Sequence, residues 1–119
     1  MQNNNTLNGL RVAILASDDF EQAELVEPKK ALEQAGAKTS IIAPSAGKIT
    51  GMNHDEKADS FPVDMTLDQA NSSEFDAVLL PGGALNADFI RMNPKAQNFI
   101  KAIDSNNKPI AVICHAHGC

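Results

Sequence analysis

The residues best suited to chemistry stand at the end of the chain, where Cys114 and His115 directly follow the apolar run of residues 109–113 (PIAVI). A cysteine between a buried strand and a helix lies on a sharp turn, and the helix N-terminus there favours the thiolate over the thiol. A thiolate is both a nucleophile and a target of oxidation. The alternative is a structural role, because free cysteine is among the most buried residue types.

Two other segments could complete a nucleophile site around Cys114. Gly82 and Gly83 follow a second apolar run, and their backbone amides could form an oxyanion hole together with the amide of His115. Glu24 follows the first apolar run and could exchange a proton with the thiol. Each residue also has a plainer interpretation: a tight turn for the glycines, a solvent-exposed acid for Glu24 and a surface imidazole for His115.

The last six residues of the chain, 114–119, contain two cysteines and two histidines, and sulfur combined with imidazole suits zinc or copper. Their spacing is not the paired separation of common zinc modules. We therefore expect no metal site here and no other cofactor.

Alternating strands and helices are expected to position these residues. Continuous apolar runs predict buried parallel strands at residues 10–16, 38–43, 76–80 and 109–113. Helices are predicted over residues 21–35, with Gly36 as the stop signal, and from Asn93, with Pro94 in its first turn. Pro28 fits the earlier helix only if it marks the start of the helix proper, after a separate short turn.

The middle of the chain has a weaker pattern. We predict a turn at residues 47–51 and a short strand at residues 61–64 (FPVD). The strands and helices together predict βαβ units, a parallel sheet and helices on both faces. Reactive groups in such a sheet lie beyond the carboxyl ends of the strands, so residues 18–24, 81–83 and 114–115 are expected to converge.

Composition and charge restrict the function classes. A chain of 119 residues with 43% hydrophobic and 21% charged residues is typical of one globular domain. Its net charge of −5 argues against nucleic acid or an anionic membrane as a partner. The sequence shows neither an apolar run long enough to span a bilayer nor a signal peptide. We expect a cytoplasmic protein with residues 1–8 as a disordered leader.

Five segments resemble the ThiJ/PfpI family in their order and spacing: residues 16–28, 46–51, 61–64, 74–83 and 108–116. The resemblance implies an α/β fold, a flavodoxin-like three-layer sandwich with a mainly parallel sheet, as in class I glutamine amidotransferases. It also implies that Cys114 is the nucleophile, on the sharp turn known as a nucleophile elbow, and that Glu24 hydrogen-bonds to Cys114. The amides of Gly83 and His115 would form the oxyanion hole, and the His115 ring would assist in peptidase-like members.

The activities that the resemblance implies are intracellular peptidase, glutathione-independent glyoxalase, protein deglycase and stress chaperone. The shared chemistry is addition of a thiolate to a carbonyl group, so the expected substrates are small carbonyl compounds or glycated proteins and peptides. The expected assembly is a homo-oligomer. A non-catalytic redox sensor or chaperone that uses the same thiol is the alternative from another class.

The sequence departs from the resemblance after Ala116. Members of this type continue from Cys-His with Gly-Pro or Ala-Pro, a hydrophobic helix and further strands, whereas here His117-Gly118-Cys119 end the sequence. We therefore expect a single partial domain over residues 1–119, with its C-terminal part missing and its last three residues produced by a frameshift. Without the helix after Cys114, weak activity or none is expected, and an exposed sheet edge favours aggregation or rescue by a partner chain.

Overall fold

The computed structural model describes residues 8–17, 20–53, 56–81 and 84–113. Its strands are β1 Arg11–Leu15, β2 Phe20–Glu21, β3 Lys38–Ala43, β4 Lys48–Asn53, β5 Glu56–Pro62, β6 Met65–Thr66, β7 Ala77–Pro81 and β8 Ile110–Ile113. Its helices are α1 Gln22–Gln34, α2 Ala84–Met92 and α3 Pro94–Ser105. The expected leader, residues 1–8, falls outside the described residues apart from Asn8.

Two sheets organise the described part of the chain. The larger one has the strand order β6-β3-β1-β7-β8, and every pairing in it is parallel. The smaller one has the order β2-β4-β5, in which β4 and β5 form an antiparallel hairpin and β2 pairs in parallel with β4. The predicted parallel sheet is confirmed, and β1 lies at its centre.

The larger sheet is covered on both faces. Val12 and Ile14 of β1 belong to one buried cluster, which also contains Leu25 of α1. Ala13 and Leu15 belong to the cluster on the opposite face, which also contains the buried residues of α3: Ala96, Phe99 and Ile103. Because successive side chains of a strand point to opposite faces, a strand between two helical layers must be apolar throughout. The fold is the expected flavodoxin-like three-layer sandwich.

The predicted helix boundaries have visible physical causes. The Asn93 side chain caps α3 by accepting hydrogen bonds from the backbone amides of Lys95 and Ala96 at 2.9 and 3.1 Å, and Pro94 occupies the first turn. After α1, Gly36 adopts a φ of +101°, in the left-handed region that glycine occupies without strain. The predicted start of α3 at Asn93 and the predicted stop at Gly36 are both confirmed.

The predicted turn at residues 47–51 is wrong for most of its length, because residues 48–53 form β4. The predicted strand at residues 61–64 is correct for Phe61 and Pro62, which end a longer strand that begins at Glu56, and wrong for residues 63–64, which lie outside it. The hairpin lies outside the main sheet, and several of its polar side chains are at least partly exposed, among them Thr50 and Ser60. A strand of this kind has no continuous apolar run, which explains why the pattern did not reveal it.

The prediction that a separate turn precedes Pro28 is also wrong. Helix α1 is continuous from Gln22 to Gln34, with Pro28 in its interior. Proline has no backbone N–H, so Pro28 cannot donate the usual helical hydrogen bond to the carbonyl group of Glu24, four residues earlier. Tertiary packing overrides this local preference, since Leu25 in the first turn is completely buried. Helix α2 was not predicted.

Hydrogen bonds and an ion pair of charged side chains stabilise the amino ends of the central strands. The Asp76 carboxylate accepts a hydrogen bond from the backbone N–H of Arg11 at 2.9 Å and lies 3.5 Å from the Arg11 guanidinium nitrogen Nε. The Lys108 ammonium group donates to the Phe75 carbonyl oxygen at 2.7 Å. The backbone hydrogen bond from Arg11, followed by the charge of its guanidinium group, holds the pKa of Asp76 below its ordinary value of 3.8.

This lowered pKa predicts a pH-dependent contribution to stability. A depressed pKa in the folded state means that the charged carboxylate stabilises the fold above the unfolded pKa and stops doing so as the pH falls through the folded value. We expect Asp76→Asn to lower the urea midpoint at pH 7 and to have a shrinking effect below about pH 4. Asp104→Asn, at an exposed position on α3, is the control. An effect of Asp76→Asn that did not change with pH would contradict this explanation.

Candidate active site

The Gly82-Gly83 motif and the Cys114-His115 motif follow two neighbouring strands. Strands β7 and β8 run side by side in parallel, and their last residues, Pro81 and Ile113, are register partners. Gly82 and Gly83 directly follow Pro81 in the sequence, and Cys114 and His115 directly follow Ile113. These four residues lie outside the described residues, so their predicted roles as nucleophile, assisting histidine and oxyanion hole stay predictions.

Glu24 is the predicted site residue that the structure does describe. It lies in the first turn of α1, which follows β1 and β2 and therefore begins at the carboxyl end of the parallel sheet. Its side chain is only 5% exposed, and both carboxylate oxygens are enclosed. Among the residues whose side-chain burial the structure describes, it is the one charged residue that is buried. The alternative interpretation of Glu24 as a solvent-exposed acid is therefore wrong.

The position of Glu24 has opposing electrostatic consequences. Burial of a carboxyl group costs free energy unless the group is hydrogen-bonded or protonated. A negative charge in the first turn of a helix is favoured by the helix dipole, which offsets part of this cost. Ionisable groups that are buried at the reactive end of a parallel sheet are candidates for acid–base work. The geometry of Glu24 is thus suited to proton transfer.

Three features fix the first turn of α1. Leu25, which follows Glu24, is fully buried against the sheet. Strand β2, which leads directly into the helix, pairs with Gly51 and Met52 of β4. The side-chain amide of Gln22 exchanges two hydrogen bonds with Asp59 of β5. The sequence reasoning missed Gln22 and Asp59, because they stand 37 residues apart and only the unpredicted hairpin brings them together.

The packing of Leu25 predicts how firmly the first turn is held. Leu25→Ala removes a fully buried side chain, and such substitutions typically destabilise a protein by about 2–5 kcal/mol. We expect a loss in this range, measured by urea unfolding monitored by circular dichroism. Glu27→Ala, at an exposed position of the same helix, is the matched control and should change the stability by less than about 0.5 kcal/mol. Equal losses in both variants would show that Leu25 does not anchor the turn.

The described ranges contain no group of three or more His, Cys, Asp and Glu side chains that is arranged to hold a metal ion. The cluster of cysteines and histidines at residues 114–119 lies outside those ranges, so the structure does not test it. In the part of the chain that the structure describes, the helices are too short or too polar to cross a bilayer.

Comparison with known proteins assigns the chain to a family. The model of the DJ-1/PfpI family matches residues 10–119, which is nearly the whole chain. The chain belongs to the DJ-1/PfpI family. The family and the fold that the sequence segments implied are thereby confirmed.

Named relatives of this DJ-1/PfpI chain include a deglycase of Pyrococcus horikoshii, which is 37% identical over 106 residues. YraA of Bacillus subtilis, which is named as a proposed cysteine protease, is 37% identical over 105 residues. These alignments cover 89% and 88% of this chain but only 61% and 60% of the relatives. The chain thus spans about three-fifths of the length of these relatives.

A solved structure supports the same assignment. The two-domain protein of Anabaena variabilis, which combines DJ-1/ThiJ/PfpI-like and ferritin-like domains, superimposes with a TM-score of 0.79 and 33% sequence identity. The match covers 89% of this chain and 30% of that protein. The described residues therefore have the backbone arrangement of a DJ-1/PfpI domain.

Proposed function

We propose that this DJ-1/PfpI chain carries a cysteine-dependent site that acts on reactive carbonyl compounds or amides, with Cys114 as nucleophile and Glu24 as the proton-transfer group. The observation that carries the proposal is the burial of Glu24 at the end of the sheet where β7 and β8 terminate together. The sequence continues from these strands into the Gly82-Gly83 and Cys114-His115 motifs. A nucleophile, a proton-transfer group and amide donors are the components that carbonyl addition requires.

The reaction with methylglyoxal illustrates the chemistry. The Cys114 thiolate adds to the aldehyde carbon, a C–S bond forms, and the carbonyl electron pair moves to the oxygen, where the amides of Gly83 and His115 would stabilise it. The proton released by the thiol would neutralise this oxygen and give the hemithioacetal. Glu24 would then transfer the proton from the former aldehyde carbon to the neighbouring carbon, while the hydroxyl proton passes to the former ketone oxygen, which gives a lactyl thioester. Hydrolysis by one water molecule releases lactate and restores the thiol.

Amide hydrolysis would use the same first step. The thiolate attacks the amide carbonyl, the amine leaves with a proton, and water hydrolyses the thioester that remains. Here His115 would assist the proton transfers. The names of the relatives include both a deglycase and a proposed cysteine protease, which supports the shared chemistry and leaves the choice of substrate to experiment. The cytoplasmic location expected from the sequence is part of this proposal.

The proposal predicts a distinct activity pattern. Lactate formation from methylglyoxal should disappear in Cys114→Ala and fall by roughly 100-fold or more in Glu24→Gln, since general acid–base catalysis contributes about 10²–10⁴. Glu27→Gln, at an exposed position on the same helix, is the matched control and should retain the parent activity. The set is measured in the 119-residue chain and in a chimera whose residues after Ala116 come from the longer Bacillus subtilis relative YraA.

The chimera separates a wrong mechanism from an incomplete domain. Turnover in the chimera alone, lost on Cys114→Ala, would support the proposal and the expectation that the shorter chain is weakly active. Activity that survives Cys114→Ala would contradict the role of this thiol. Absence of turnover on both carbonyl and peptide substrates, combined with ready oxidation of Cys114, would favour the redox-sensor alternative.

The homo-oligomer expected from the sequence is proposed to form through the β8 side of the main sheet. In the described part of the chain β8 is the outermost strand, and an edge strand presents backbone groups that another chain can pair with. Ala111 of β8 is exposed, whereas its register partner Leu79 is buried. An exposed apolar position on the strand that ends the described part of the sheet suits burial against a second copy.

This interface predicts the effect of one surface charge. Ala111→Lys should shift the chain toward the monomer, because association would bury the ammonium group without a partner. Light scattering coupled to size-exclusion chromatography measures the mass. Ala31→Lys, at an exposed position on α1, makes the same chemical change away from β8 and should leave the mass unchanged. A wild-type chain that is monomeric at all concentrations would contradict the proposed assembly.

A further inference from the structure

The start of α1 needs support from outside the helix. The first four backbone N–H groups of an α-helix have no acceptor within the helix, and a capping side chain usually satisfies some of them. Asn93 caps α3 in this way. Helix α1 instead begins directly after β2, and the preceding residue, Glu21, is not among the types that usually cap helices. Contacts with the rest of the fold therefore add to what holds the turn that contains Glu24.

Gln22 provides such a contact with the hairpin. Its amide nitrogen Nε2 donates a hydrogen bond to Asp59 Oδ2 at 3.1 Å, and its amide oxygen Oε1 accepts one from the Asp59 backbone N–H at 2.8 Å. Both ends of one side-chain amide are therefore engaged by one residue of β5. We call this pair of hydrogen bonds the Gln22–Asp59 clasp.

We propose that the Gln22–Asp59 clasp positions Glu24 for proton transfer with the Cys114 thiol. This inference rests on the role of Glu24 under the proposed function. Gln22 is the first residue of α1 and precedes Glu24 by about 3 Å along the helix axis. Together with the pairing of β2 to β4, the clasp attaches the helix start to the hairpin. Loss of the clasp would let the first turn fray, and Glu24 would leave its buried position for part of the time.

A double-mutant cycle at Gln22 and Asp59 tests the clasp separately from other effects of each substitution. Gln22→Glu removes the amide donor and places a second carboxylate opposite Asp59, which is repulsive. Asp59→Asn alone keeps a side-chain acceptor and the backbone N–H, so it preserves the clasp. When Asp59→Asn is combined with Gln22→Glu, the new amide can donate to the new carboxylate, and the contact is restored with donor and acceptor exchanged. Gln34→Glu makes the same substitution at an exposed position at the other end of α1.

The readout is the alkylation rate of Cys114 by iodoacetamide as a function of pH. It is measured in the full chain, with Cys119→Ser so that one thiol reacts. Glu24 is proposed to accept the thiol proton, so Glu24→Gln should slow alkylation at neutral pH. Gln22→Glu should slow it in the same pH range by about two- to tenfold, the effect of one or two lost hydrogen bonds. Asp59→Asn, the double variant and Gln34→Glu should stay near the parent rate.

The outcomes separate this inference from the function on which it rests. If Glu24→Gln leaves the alkylation profile unchanged, the proposed function fails. If Glu24→Gln slows the reaction but Gln22→Glu does not, or the double variant is not restored, the clasp does not position Glu24 and the function stands. Thermal unfolding followed by circular dichroism tests whether the clasp has a merely structural role. If Gln22→Glu lowers the melting temperature but leaves the alkylation profile unchanged at temperatures well below melting, the inference is overturned.

Discussion

The parallel pairing of β7 with β1 on one side and β8 on the other is the constraint on which the rest of the structure depends. It brings the ends of the last two strands together through the Pro81 and Ile113 register, and it requires that the strands be apolar on both faces. Helices α1 and α3 then cover the two faces. Because α1 runs back from the carboxyl end of the sheet, its first turn lies at the end where strands β7 and β8 stop.

The smaller sheet has a different role from the larger one. Strands β4 and β5 contribute little to the main core, where Ile49 of β4 is their one buried apolar side chain among those described. Their contacts instead reach β2 and the start of α1. The hairpin therefore contacts the start of the helix that carries Glu24, through the backbone of β2 and through the Gln22 side chain. A surface element of modest hydrophobicity can in this way influence the buried end of the fold.

The features that could be predicted from the sequence are those that local sequence patterns determine, and the features that were missed depend on contacts between distant residues. The strands of the main sheet were found because burial on both faces forces continuous apolar runs, and α3 was found because Asn93 and Pro94 mark its start. The hairpin was missed because its side chains face solvent on one side. Glu24 was identified as a candidate, but its burial was not, since burial depends on contacts with residues distant in the sequence. The Gln22–Asp59 clasp was missed for the same reason.

Several features of the segment from Gln22 to Pro28 oppose the formation of helix α1. It starts without a typical capping residue, it buries a carboxyl group in its first turn, and it contains a proline that cannot donate to the Glu24 carbonyl group. Tertiary contacts of Leu25 and the hairpin compensate for these features. A sequence selected for stability alone would not need to combine them. Violations of local rules tend to occur at functional sites, so their concentration around Glu24 agrees with the proposed role in chemistry.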